Sequence, residues 1–238
     1  MSPLGHQILQ QLQAVERGRQ ACAADAQLAA RVHAVKHYQH QRLQHSYADL
    51  LADKRYAKAA RFFLDDLYGP HDFTDRDAQF ARVVPGLTRL FPADVVATVA
   101  CLSELHALSE GFDIAMAQAA AIDGPMEPEA YRRAWLAVGR HDDRLRQVAL
   151  MRQVGNALDR FTRNPLLRAA LLAMRGPAHA IGLSALQGFL ERGFDTFRAL
   201  GGGQPFLNIV EQRERALIER LFDTTLALAA LHESGELP

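Results

Sequence analysis

The stretch Arg61-Phe-Phe-Leu-Asp-Asp-Leu-Tyr-Gly-Pro-His-Asp-Phe-Thr-Asp-Arg-Asp77 sets the character of the chain, because it joins two helical patterns through a turn dense in charge. From Tyr56 to Tyr68 the apolar residues Phe62, Phe63, Leu64 and Leu67 fit a helix that faces a core. Gly69 suits the left-handed residue that ends such a helix, and Pro70 forbids its continuation. Thr74, with Asp77 three residues on, reads as a capping box opening the next helix, where Asp75 and Asp77 complement the positive end of the dipole. Asp65 and Asp66 fall outside this local account, since two acids in a last turn meet the negative end of the dipole at about 0.3–1 kcal/mol each. They need partners from elsewhere, and an arginine is the expected one. The structural motif therefore comprises Asp65, Asp66, Tyr68, Gly69, Pro70, Asp72, Phe73, Arg76 and Asp77.

Outward from this junction the apolar spacing is helical throughout, and no alternating run calls for a strand. The expectation is an all-α bundle of about ten helices without a sheet. Ser2 and Pro3 start a first helix. A second spans about Asp25 to Leu51, and a fourth spans Thr74 to Leu90 with a kink at Pro85. A long Ala-rich helix runs from Pro92 to about Ile122 and ends at Asp123-Gly124-Pro125. That turn divides a single domain, residues 1–238, into candidate halves 1–123 and 124–238. Further helices cover Pro128 to Val138, His141 to Arg163, Pro165 to Gly176, a segment ending at Leu200, and Pro205 to about Leu231.

With 238 residues, 49% of them apolar, the chain can bury a full core. Formal net charge is zero, which argues against a dedicated nucleic-acid binder. The charge is unevenly placed: residues 61–130 hold four Lys/Arg against twelve Asp/Glu, whereas residues 131–238 hold fifteen against eleven. The basic last third is thus expected to neutralise the acidic middle within the fold. Cys22 and Cys101 lack CxxC spacing, so no disulfide or zinc site is expected. There is no basic start followed by an apolar signal-like run, and no uninterrupted apolar run of roughly 20 residues. A cytoplasmic protein without a membrane partner is the resulting expectation.

Three constellations have residue types suited to chemistry. His106, Glu110 and Asp113 fall within about 60° of one another on the long central helix, and a partly buried His with two carboxylates suits acid–base work or a metal. The alternative is a structural line paired with arginines of the basic half. His33, His37 and His40 share an arc of the second helix; His33 and His37 are candidate ligands, although one straight helix does not easily bring three imidazoles to one ion. His71-Asp72 is similar to the dipeptide of HD-type phosphohydrolases, with His40 and Asp113 as further members of a conceivable ligand set. It lacks the apolar lead-in such enzymes carry. Ser184 has no nucleophile elbow around it, and Gly201-Gly-Gly203 is a joint, not a phosphate cradle.

The pattern FFLxDLYGPxDFxxRD, here Phe62 to Asp77, resembles the signature of a family of uncharacterised all-helical bacterial proteins, a domain of unknown function. The resemblance is sharpest over residues 56–92 and extends through Ser109-Glu-Gly-Phe-Asp113. It implies a shared helical fold and brings no catalytic residue with it.

The leading expectation is a non-enzymatic interaction, scaffold or regulatory protein without a cofactor. Its partner would be another protein or a second copy, the homodimer forming through the Pro205–Leu231 helix. One alternative is a metal-dependent HD-like hydrolase. Another is a binder of an apolar ligand or haem-like cofactor in a pocket between helices.

Overall fold

The computed structural model describes residues 2–67, 69, 73–227, 231 and 237. Among them it has twelve α-helices, one π-helical turn and no strand. The order is α1 (Pro3–Ala24), α2 (Ala26–Ser46), α3 (Ala48–Ala52), α4 (Ala57–Arg61), the π-turn (Phe62–Leu67), α5 (Thr74–Leu90) and α6 (Ala93–Ala120). There follow α7 (Pro128–Val138), α8 (His141–Phe161), α9 (Pro165–Ala173), α10 (Arg175–Ala180), α11 (Ser184–Leu200) and α12 (Gln204–Phe222). The all-α expectation holds.

Several boundaries follow directly from side-chain capping. Ser2 Oγ accepts from the Gly5 amide at 3.1 Å, Asp25 Oδ1 accepts from the Gln27 and Leu28 amides at 3.0 Å each, and Asn164 Oδ1 accepts from the Leu166 amide at 3.0 Å. Each satisfies a first-turn donor that has no partner inside its helix. Pro3 and Pro165 occupy the first turn, where a missing N–H costs nothing.

Other boundaries depart from the sequence pattern. The second helix breaks at Tyr47, so α3 is a separate piece. The third opens into a π-turn, whose wider turn accommodates Phe62, Phe63 and Leu64 as three consecutive buried residues. The Thr74–Asp77 capping box does not form: α5 has Phe73 as its N-cap without a side-chain cap bond, because the Asp77 carboxylate is taken by Arg19, Arg76 and His106. The helix expected to reach Gly176 stops at Ala173, and α10 runs through Gly176 and Pro177. The last long helix stops at Phe222 with Asp223 as C-cap, not near Leu231. Its apolar residues Leu217, Ile218 and Leu221 are each no more than 3% exposed within the monomer. They are part of the chain's own core.

Helix α6 is the axis of the molecule, packed against α1, α2, α7 and α8, with α12 closing over α7 and α8. By length and composition alone it would also suit a membrane span, yet here it lies among these helices and carries Glu104, Glu110 and Asp113. The main core draws on both sequence halves, from Val35 to Leu237, and a smaller cluster of Ile8, Leu12, Val84, Val96 and Ala100 seals α1 and α5 onto α6. Gly155 permits the close approach of α8 and α12, since a Cβ there would run into Leu207.

Candidate functional site

The line His106, Glu110, Asp113 is real but is held by helices other than those expected. His106 Nε2 lies 2.7 Å from Asp77 Oδ2, which also accepts from Arg19 Nη2 at 2.8 Å, while Arg76 Nε donates to Asp77 Oδ1 at 3.1 Å. Lys36 Nζ donates to Glu110 Oε1 at 2.7 Å, and Gln39 Nε2 to Asp113 Oδ1 at 2.8 Å. The partners thus come from α1, α2 and α5, not from the basic last third, which corrects the expected pairing. That third instead supplies Arg146 to Glu104 and Arg192 to Asp66.

These contacts separate the acids electrostatically. Burial opposes ionisation of Asp77, but the hydrogen bond and charge of His106, with Arg76 and Arg19, hold its carboxyl at about 2. Burial likewise opposes ionisation of Glu110, and Lys36 overcomes it to lower the value. At Asp113 burial prevails and pushes the carboxyl up to about 6, because Lys36 stands 3.8 Å away and is already committed to Glu110.

Asp65 and Asp66 leave the π-turn in different directions. Asp66 Oδ1 accepts from Arg192 Nη2 at 2.6 Å and Nε at 2.8 Å, and its main-chain oxygen accepts from Arg76 Nη1 at 2.9 Å. Asp65 meets His40 Nε2 at 3.2 Å, a histidine in place of the expected arginine. The Arg76 guanidinium covers the Phe73 ring, 4.0 Å from its centre. Tyr68, Pro70, His71 and Asp72 lie outside the described residues. His33 and His37 stack with ring centres 6.3 Å apart beside an open groove. Among the described residues no three His, Cys, Asp or Glu side chains converge as a metal would require. Of the conceivable HD set, the two described members have other partners: His40 meets Asp65 and Asp113 meets Gln39.

Beside the acidic line, the structure places a cavity of about 120 Å³ between α2, the π-turn, α6, α8 and α12. Phe63, Leu64, Val148, Met151, Phe206 and Val210 give it apolar walls. Its charged lining is mostly paired. Lys36 is held by Glu110, and Arg42, 5% exposed, donates through Nη1 to Glu214 Oε1 at 2.6 Å, where the Tyr47 hydroxyl also donates at 2.6 Å.

Arg144 differs. It is 4% exposed, and its guanidinium stands 3.7 Å from the centre of the Phe112 ring and 3.6 Å from that of Trp135. Its Nε and Nη2 have no hydrogen-bond partner, and among the described residues no acid lies within ion-pair distance. Burial brings this guanidinium down to about 10. The buried Trp135 Nε1 and the hydroxyls of Tyr38 and Tyr131, whose rings are 4.6 Å apart, likewise lack partners.

Sequence reasoning offered a pocket between helices without placing it and missed Arg144 and Arg42 on its wall, although a signal was present. Arg144 occupies the same line of α8 as the buried Val148, Met151 and Gly155, at i, i+4, i+7 and i+11, and Arg42 continues the line of Val35 and Tyr38 on α2. A charge on an apolar stripe is a buried charge with something to explain.

Neither a curated protein nor a solved structure matches the chain. Residues 18–227 match the family model described as Domain of unknown function (DUF8198), a span that takes in the acidic line, the cavity and Arg144, and the chain belongs to that family.

Proposed function

We propose that the protein is a non-enzymatic, ligand-responsive helical protein that holds a small organic molecule in its central cavity. The observation that carries this reading is a void of about 120 Å³, with apolar walls, beside buried hydrogen-bonding groups of Arg144 and Trp135 that have no partner among the described residues. Protein interiors rarely keep such groups unsatisfied, and a pocket of apolar walls with a few polar groups is the usual form of a small-molecule site. The volume is close to that of an apolar cavity that accepts benzene, about 150 Å³. A hydrolase using His106, Glu110 and Asp113 is less well supported, because Asp77 already holds His106, Lys36 holds Glu110 and Gln39 holds Asp113.

Native mass spectrometry of the untagged protein tests the proposal. The expected spectrum shows one small molecule per chain, absent from the cavity-filling variant Val210→Phe. A bare chain mass, together with no change in unfolding temperature against a panel of small acids, amines and alcohols, would overturn it.

A second reading, a protein-interaction role, draws on one specific observation. Helix α9 buries none of its residues, and its Leu166 and Leu172, with Met174 just after it, are 77%, 41% and 45% exposed. Apolar side chains this open, close together in sequence, suit a surface that meets another protein. The two roles are compatible.

A further inference from the structure

Resting on the ligand-binding role proposed above, we infer that the cavity ligand carries a carboxylate, which Arg144 binds through its Nε–Nη2 edge, and a compact apolar body facing the Leu, Val, Met and Phe wall.

Four observations lead there. The first is the pairing of charges. Of the cations on the cavity wall, Lys36 is held by Glu110 at 2.7 Å and Arg42 by Glu214 at 2.6 Å, and Arg144 alone has no ion pair among the described residues. Asp113, on the same wall, acts on Arg144 through its charge but makes no direct ion pair or hydrogen bond with it: it accepts from Gln39 at 2.8 Å and has Lys36 at 3.8 Å. A buried cation without a directly bonded counter-charge is costly, and a ligand of opposite sign that bonds it lowers the cost on binding.

The second is the edge that is left over. Nε and Nη2 form the side of a guanidinium that meets a carboxylate with two parallel hydrogen bonds. Two other arginines of this chain use it so. Arg146 reaches Glu104 through Nε at 2.7 Å and Nη2 at 2.9 Å, and Arg175 reaches Glu191 through Nε at 2.9 Å and Nη2 at 2.5 Å. On Arg144 both atoms of that edge lack a partner.

The third is orientation. Phe112 and Trp135 cover the guanidinium at 3.7 Å and 3.6 Å, which fixes its plane and confines any further hydrogen bond to its edge. A planar carboxylate fits an edge held in this way better than a spherical anion does.

The fourth is size. A void of about 120 Å³ holds a body of roughly benzene dimensions. Benzoate and hexanoate are therefore the appropriate probes, with benzamide and hexanamide as their uncharged counterparts.

Trp135 is the single tryptophan of the chain and lines the cavity, so its emission reports on the site directly. The experiment is a fluorescence titration of the full-length protein with the four probes, with unfolding temperatures measured in parallel. Saturable one-to-one binding of an acid, at least about tenfold tighter than its amide, is the expected result. Arg144→Lys keeps the charge but loses the two-pronged edge, and is expected to weaken acid binding by about tenfold or more. Arg144→Met is expected to lose the preference for acids while the unliganded variant unfolds at a higher temperature than the wild type, since a buried unpaired cation is gone. Amides that bind as tightly as acids, or an Arg144→Met protein that unfolds at lower temperature and still prefers acids, would overturn the carboxylate assignment and leave the cavity's binding role standing. Absence of binding by all four probes would overturn the assignment too. If Val210→Phe then also raises the unfolding temperature, the void is merely unfilled space, and the ligand-binding role falls with it.

Discussion

Asp113→Asn should make the protein more stable, and increasingly so as the pH rises. The Asp113 side chain is 14% exposed, and burial pushes its carboxyl from an ordinary value of 3.8 up to about 6. Because the folded-state value is the higher one, the folded protein binds more protons than the unfolded chain between about pH 4 and pH 6. Stability contributed by the neutral acid is therefore lost as pH rises through this window, and the loss is complete above it. The interval between the two values, at about 1.4 kcal/mol per pH unit, corresponds to about 3 kcal/mol at pH 8 and about 0.5 kcal/mol at pH 4. Asparagine does not ionise, and its Oδ1 still accepts from Gln39, while Lys36 keeps Glu110. Urea unfolding followed by circular dichroism at pH 5, 6, 7 and 8 would check this, with the gain of the variant over wild type expected to grow from pH 5 to about pH 7 and to level off there. A gain independent of pH, or a loss at pH 8, would refute the assignment of Asp113 as a carboxylate held against its ionisation. Asp77 works in the opposite sense: its value is lowered to about 2, so its stabilisation is present above 3.8 and is lost only as the pH falls toward 2, below the range tested.

Glu214→Ala removes the counter-charge of Arg42, whose side chain is 7% exposed, and strands the Tyr47 hydroxyl, so a loss of about 3–5 kcal/mol is expected in urea unfolding at pH 7. A loss below about 1 kcal/mol would mean that water reaches Arg42 freely. Asp66→Ala is expected to cost only about 0.2–1 kcal/mol, because Arg192 is 58% exposed and the Arg76 bond goes to the Asp66 main chain; equilibrium denaturation of the variant decides it, and a loss above about 2 kcal/mol would assign the pair a buried role.

What could be read from sequence followed the range of the physics involved. Periodicity of 3.6 and short-range capping belong to neighbouring residues, so the helical class and the starts at Pro3, Ala26 and Pro165 were visible in advance. The capping box at Thr74 was misread for the same reason: Asp77 has the right spacing, but three groups distant in sequence compete for its carboxylate. The π-turn left only a weak trace, three adjacent large apolar residues, which a regular helix would spread around its circumference. The acidic line on α6 was correctly aligned, yet charge totals pointed to the wrong partners, since composition does not say which helices touch. Arg144 was legible as a charge on an apolar stripe. That it lacks a partner is a fact of three dimensions, because it depends on where Glu104, Asp113 and Glu214 go instead.

The wall of the cavity reaches from Lys36 to Ile218, and α12 contributes Phe206, Val210, Glu214 and Ile218 to it. During synthesis, α2, the π-turn, α6 and α8 therefore emerge and collapse while one side of the pocket is still missing, with Arg42 waiting for Glu214. Completion of the pocket coincides with docking of α12, whose Leu207 and Leu221 are fully buried. Nascent chains lacking this helix would expose an apolar trough, and the pocket would be complete only once α12 has left the ribosome and docked.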